Sequence, residues 1–199
     1  MRARGTVAAL LAAGALLAGC AGPAPEESPS PAATTPAPDS SSPAPASDSG
    51  MTPLRDRVER PVPPAATDDD AGAVAFAVYY VAAQEWATAT ADPAILDGIC
   101  LSENEQCARI RQTAEVLAQN SWTQYDGAST LAIASDLVVS RPEADRAVVQ
   151  SRMLIEPLEV RDDTGAVVET RDSYDFVVAF HMQWTGTAWV MTSAVRVEG

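Results

Sequence analysis

Tyr174-Asp175-Phe176-Val177-Val178-Ala179-Phe180-His181-Met182-Gln183-Trp184, then Thr185-Gly186, then Thr187-Ala188-Trp189-Val190-Met191-Thr192-Ser193-Ala194-Val195-Arg196-Val197 reads as two strands joined by a tight turn. Large side chains fall at every second position (Tyr174, Phe176, Val178, Phe180, Met182), the period of a strand with one buried face. A two-residue loop at Thr185-Gly186 sets Met182 opposite Trp189, Phe180 opposite Met191 and Asp175 opposite Arg196. A four-residue loop keeps the same faces. The same period runs back through 167–184, 146–160 and 130–140, with Asp162-Asp163-Thr164-Gly165 as a second turn. That turn sets Glu156 opposite Arg171 and Arg152 opposite Asp175, so unlike charges meet. The expected inner face is Val149, Met153, Ile155, Tyr174, Phe176, Val178, Phe180, Met182, Trp189, Met191 and Val195. Gln150, Arg152, Asp175, His181, Gln183 and Arg196 face outward.

Before Trp122 the period is 3.6 instead. Thr67-Asp68-Asp69-Asp70 opens a helix, with Thr67 as cap, Asp70 reaching back, and carboxylates at the positive end of the helix dipole. Residues 71–90 set Phe76, Tyr80, Ala83 and Ala87 on one stripe, with Trp86 beside it, and Ala91-Asp92-Pro93 stops the run. A short second helix is expected over 93–99 and a third over 103–120, with Ile110, Ala114 and Leu117 inward. Helices first and strands second predict an α+β domain, with helices packed on a curved antiparallel sheet of about four strands.

This order, ending in Trp184-Thr185-Gly186-Thr187-Ala188-Trp189, resembles the nuclear-transport-factor-2-like cone fold. More closely, the chain resembles a family of actinobacterial lipoproteins, domain of unknown function 6318. The resemblance rests on Arg60-Pro61, the acidic run before Ala71-Gly72-Ala73, Phe76-Ala77-Val78-Tyr79-Tyr80, the Thr90-Ala91-Asp92 bend, and the pair Cys100 and Cys107. The two cysteines stand wider apart than the family's close pair, which implies an insertion between them. The family carries no assigned activity, so the resemblance implies fold and location but no mechanism.

Location is also written at the amino end. Arg2 and Arg4 precede an apolar run from Val7 to Leu17, shorter than the ~20 residues a bilayer span needs and of signal-peptide length. It ends in Leu17-Ala18-Gly19-Cys20, which resembles a lipobox. Cleavage is expected between Gly19 and Cys20, with residues 1–19 removed and lipid on the Cys20 thiol. Two acyl chains at ~0.8 kcal/mol per buried methylene anchor stably where one would be marginal. Residues 20–67 are rich in Pro, Ala, Ser and Thr and are expected to form a disordered tether, whose apolar content cannot repay the entropy of ordering. Residues 68–199 are the expected single domain. The chain is thus read as exported and held on the outer face of the cell membrane.

The 199 residues carry a formal charge of −14, and all 13 basic residues are arginine. From Ala71 onward eight Arg stand against eighteen Asp and Glu, a balance that repels nucleic-acid phosphates and anionic head groups. Nucleic acid is therefore not an expected partner; the membrane, through the lipid, is one. An envelope protein, a glycan or a small ligand is the other.

With Cys20 taken by lipid, Cys100 and Cys107 remain as an even pair in an exported domain, and a disulfide follows. A redox-active pair is the alternative, although the short spacing of thioredoxin-like sites is missing. Two thiols and the distant His181 do not make a structural zinc site, and no metal or cofactor is expected. His181 is the single histidine, and its parity sets it outward as a solvated strand residue. Without a second histidine or a serine motif, no catalytic residue can be named. Tyr79, Tyr80, Trp86, Tyr174, Phe176 and Trp189 are candidates to line a pocket between the first helix and the inner sheet face, or else to pack as aromatic core. Two functions follow. One is a non-catalytic binding or scaffold domain, lipid-anchored in the cell envelope. The other is a small-molecule enzyme or carrier using a cone pocket, a reading that rests on fold analogy. A deep pocket holding an ionisable residue with a shifted pKa favours the second, and a filled apolar interior the first.

Overall fold

A computed structural model of the chain describes residues 52–131 and 137–197. The expected leader, the Gly19–Cys20 cleavage and lipid site, the tether as far as Met51, and the middle of the first candidate strand lie outside the described residues. The elements are a 3-10 turn at Leu54–Asp56, α1 (Asp70–Ala89), a second 3-10 turn at Pro93–Leu96, and α2 (Glu105–Asn120). Strands follow: β1 (Thr123–Asp126), β2 (Ser129–Leu131), β3 (Val138–Glu143), β4 (Arg146–Ile155), β5 (Leu158–Arg161), β6 (Val167–Arg171), β7 (Tyr174–Trp184) and β8 (Trp189–Val197).

The class is α+β, as expected, but the strands divide differently. In place of one sheet of about four long strands there are two antiparallel sheets. The small one has the order β1-β5-β6; the large one runs β2-β4-β7-β8, with β3 also paired to β4. The expected strands 146–160 and 167–184 are each cut in two. Pro157 explains the first cut: it has no N–H for a ladder, and the neighbouring Glu156 N–H donates instead to the Ala128 carbonyl. The neighbouring strand breaks at the same level, at Asp172-Ser173, so β5 and β6 leave together as a hairpin. Its turn is built by Asp162, whose Oδ1 accepts from the backbone N–H of Thr164 and of Ala166, both at 2.9 Å.

The registers are also corrected. Arg152 lies opposite Val177, Asp175 opposite Leu154, and Arg171 opposite Leu158. This is a slip of two residues, which preserves every face because the strand period is two. Arg152 still reaches Asp175 along the diagonal, Nε to Oδ1 at 2.7 Å. At the other end Trp184 pairs with Trp189, so the loop has four residues and Met182 faces Met191. A bulge then admits Thr192 as an extra residue, which sets Phe180 opposite Ala194 and Arg196 opposite Val178. Beyond the bulge the parity of β8 is reversed. Ala194 packs inward and Val195 is 47% exposed, contrary to the expected inner face.

The core lies between α1 and the large sheet. Phe76, Tyr80, Ala83 and Ala87 of α1 are buried against Val149, Val178, Phe180, Met182 and Met191. The Tyr80 and Phe180 rings meet edge to face at 6.2 Å. The helix start differs from the expected capping box. Asp69 is the cap, accepting from the Gly72 N–H at 2.7 Å, while the Thr67 hydroxyl donates to the same Asp69 oxygen. A Cβ on Gly72 would stand 2.2 Å from the Thr67 carbonyl oxygen, so only glycine allows the approach. The expected second helix is the single 3-10 turn, capped by Asp92. Packing begins upstream of residue 68: Leu54 is 1% exposed, Pro53 bridges to Tyr125, and Arg57 pairs with Asp126 at 2.7 Å.

Candidate functional site

The six aromatic candidates do not gather in one pocket. Tyr79 and Trp189 share a small apolar hollow of about 110 Å³ with Phe76, roofed by Pro63, Pro64, Ala65 and Ala66. Tyr80 is fully buried, its hydroxyl 3.3 Å from the Cys107 sulfur, and burial pushes its phenol pKa up. Trp86 is half-buried against the core, its indole N–H enclosed without an acceptor. Tyr174 is 44% exposed at the end of β7. Phe176 lies under Arg196, whose guanidinium stacks on the ring at 5.3 Å.

Cys100 and Cys107 form a disulfide. It ties the start of α2 to the segment that covers the edge of β8. That segment is held by the Met191 N–H donating to Ile99 and the Leu101 N–H donating to Met191. Asn104 locks the same corner, capping α2 through the Cys107 N–H and donating from Nδ2 to the Met191 carbonyl.

His181 faces outward, as its parity requires, between Val148 and Ser193. It is half-buried rather than freely solvated. It lines a hollow of about 440 Å³ on the outer face of the large sheet, together with Glu103, Glu143 and Arg146. Arg146 is already engaged by Glu143 at 3.5 Å. Among the described residues no group of three or more His, Cys, Asp and Glu side chains is arranged to hold a metal ion. No described helix is long and apolar enough to cross a membrane.

The cleft with chemistry in it lies elsewhere, where α1 and α2 face the small sheet. It encloses about 310 Å³, the lower end of the range for compact ligands. Ile110 and Leu117 of α2, Ile155, and Leu158 and Val160 of β5 supply its apolar floor. Gln84, Glu85 and Thr88 of α1, Gln106 and Thr113 of α2, Gln124 of β1, and Glu169 and Arg171 of β6 supply its polar walls. Gln84, Glu85 and Thr88 lie within about one turn of α1, so they share one side of it. The Pro157 break swings β5 and β6 out of the large sheet, and that displacement makes β5 the floor.

Glu85 is half-buried and, among the described residues, accepts a single long hydrogen bond, from the Ser129 N–H at 3.4 Å. No ion pair among the described residues includes it. Arg57, whose positive charge acts on Glu85, is already paired with Asp126 at 2.7 Å and Glu156 at 3.7 Å. Burial holds the Glu85 carboxyl above the ordinary carboxylate range, and the Glu156 charge adds to this; the Ser129 N–H and Arg57 oppose it more weakly than burial acts. The neighbouring Gln84 side chain approaches the Tyr80 hydroxyl, and its buried Nε2 falls short of full hydrogen-bond geometry there. The cleft thus joins apolar contact surface to a carboxyl whose acceptor capacity is mostly unused.

None of the cleft's polar residues was singled out from the sequence. A signal was present: between Gly72 and Ala87, Gln84 and Glu85 are the only polar residues apart from the two tyrosines. The β6 and β1 contributors carried no such signal, because their place depends on the break at Pro157.

No curated protein sequence matches the chain. Among solved structures, the intermembrane space region of the chloroplast protein ARC6 is similar at 14% identity and a TM-score of 0.48. That match covers 66% of this chain and 98% of the other. A putative calcium/calmodulin dependent protein kinase II association domain from Xanthomonas campestris is similar at 12% identity and a TM-score of 0.38, covering 70% of this chain and 95% of the other. The family described as "Family of unknown function (DUF6318)" matches residues 57–195, and the chain belongs to that family.

Proposed function

We propose that the protein is a lipoprotein anchored through Cys20 to the outer face of the cell membrane, whose domain binds a small ligand without transforming it. The ligand occupies the cleft between the helix pair and the small sheet. The observation that carries the reading is the cleft itself: an apolar floor, hydroxyl and amide walls, and one half-buried carboxyl that joins no ion pair among the described residues. The lipobox-like Leu17-Ala18-Gly19-Cys20 and the Pro-rich stretch after it support the anchor and a tether that holds the domain off the membrane. Helices laid across a strongly bent antiparallel array support a cone-like arrangement of the nuclear-transport-factor-2 kind.

One observation favours a second reading, an enzyme or carrier for small molecules. Burial shifts the Glu85 carboxyl upward, the direction in which enzymes tune a carboxyl used as a general acid or base. Against it, no nucleophile or second titratable partner stands within hydrogen-bond distance of Glu85 among the described residues. His181 lines a different hollow.

Two experiments test the proposal. Cys20→Ala in the producing cell should give a protein that is unprocessed or released on fractionation; a variant still membrane-bound at mature size overturns the anchor. Amide spectra of the labelled domain with a small-molecule library should show hits that move Thr88, Thr113 and Gly127, the last of which also lines the cleft, with each hit recovered chemically unchanged. Hits that spare the cleft overturn the binding site, and turnover of a hit converts the reading to the second.

A further inference from the structure

Glu85 is placed as a receptor group rather than a structural one. Ion pairs elsewhere on this domain are made and satisfied: Arg141 with Asp68 and Asp70, Arg152 with Asp175, Arg111 with Asp97. Glu85 instead sits half-buried with one long N–H contact, on the wall of a cleft whose floor is Ile110, Leu117 and Leu158. An ionised carboxylate offers about four lone-pair sites, and leaving most of them unmatched away from water is unfavourable. An apolar body on the floor would displace the remaining water around Glu85. Only a ligand that brings its own positive charge, or several N–H donors, would then leave the carboxylate satisfied.

The geometry points to a ligand with an ammonium group on a compact apolar body, the ammonium donating to Glu85 and the body lying on Ile110, Leu117 and Leu158. This deepens the cleft reading above and rests on it. The charge environment agrees. Facing the cleft are Glu85 from α1, and Glu169 and Arg171 from β6. Arg57 and Glu156 also act on the Glu85 charge, in opposite senses, and Arg57 is paired with Asp126 at 2.7 Å and with Glu156 at 3.7 Å. The chain as a whole is strongly acidic at −14, which attracts cations and repels anions. Among the described residues that line the cleft, Arg171 is the one that would suit an anion, and it is exposed, where screening weakens it.

The pH dependence has a definite sign. An aliphatic ammonium stays protonated through neutral pH, so the group that titrates is Glu85, and affinity rises as pH rises through its elevated pKa and then levels off. The ammonium could belong to a free amine or to a peptide amino terminus, which share this chemistry.

The test uses the exported domain with the disulfide intact and three probes of one shape: phenethylamine, phenethyl alcohol and phenylpropionate. Phenylalanyl-alanine amide stands for the peptide source. Titrations followed by calorimetry and amide shifts should show phenethylamine, the dipeptide amide, or both, binding tighter than the alcohol by roughly tenfold or more, the scale of a charge-assisted hydrogen bond. Whichever of the two binds more tightly assigns the source. Glu85→Gln should remove the preference while the alcohol's affinity holds and the domain stays at least as stable as the parent. If the amine and the alcohol bind equally in the cleft, and Glu85→Gln changes neither, the ammonium inference fails while the cleft remains a binding site. If phenylpropionate binds best, the inference also fails. If no probe moves Thr88, Thr113 or Gly127, both the inference and the cleft reading fall.

Discussion

The two sheets of this domain meet the same helix pair, and they meet it differently. Against the large sheet, α1 presents Phe76, Tyr80, Ala83 and Ala87, and the facing strand residues, almost all apolar, close on them. Against the small sheet, α1 presents Gln84, Glu85 and Thr88, and β5 stands off, leaving a cleft over Leu158 and Val160. The chain is the same and the helix is continuous; what changes is one turn of side chains. Apolar groups gain by excluding water and draw the layers together. A carboxyl and an amide with few internal partners gain by keeping water or a ligand, and hold the layers apart.

This contrast breaks first under truncation. Phe180→Ala, in the filled layer, should cost about 3–5 kcal/mol of unfolding free energy in denaturant titrations. Leu158→Ala, on the cleft floor, should cost about 2 kcal/mol, because a loosely packed wall can settle into the space left behind. Equal costs would mean that the cleft is packed as tightly as the core.

A pH series sharpens it. The Glu85 carboxyl has a folded-state pKa raised above its unfolded value, so the folded state holds its proton more tightly. Its effect on stability is therefore unfavourable above the folded pKa, and shrinks to nothing as pH falls below the unfolded one. Glu85→Gln should melt higher than the parent at neutral pH, and the gap should close in acid. A gap that widens in acid would place Glu85 in a stabilising pair and contradict the account. The smallest effect is expected on the outer face. His181→Ala should change stability by no more than about 0.5 kcal/mol and leave ligand shifts in the cleft unaltered. Loss of cleft binding in that variant would make the hollow around His181 part of the working surface.

Much of the filled layer was legible in the chain and little of the cleft was. The alternation through Phe176, Val178, Phe180 and Met182 is a local property of one strand, and so is the helical stripe of Phe76 and Tyr80; both survive any two-residue slip in register. Val195 was misplaced because a bulge at Thr192 reverses parity, and nothing at that position distinguishes a bulge residue. Tyr174 obeys the alternation yet lies beyond the end of the helix cover. The cleft depends on a non-local event. Pro157 ends β4, the hairpin carrying Glu169 and Arg171 departs, and it returns over α2 at a place no periodicity encodes. Pro157 itself was the readable mark, since a proline inside a strand pattern demotes it.

The most direct test of the whole account is Glu85→Leu, measured in thermal unfolding and in phenethylamine titration of the same sample. A group kept for binding rather than for packing should be replaceable at a gain to the fold and a loss to function. The predicted result is a melting temperature equal to or above the parent's, with amine affinity reduced by roughly tenfold or more. A variant that binds as before, or one that unfolds more easily by several kcal/mol, would show that Glu85 serves the structure and that the cleft is not the receptor described here.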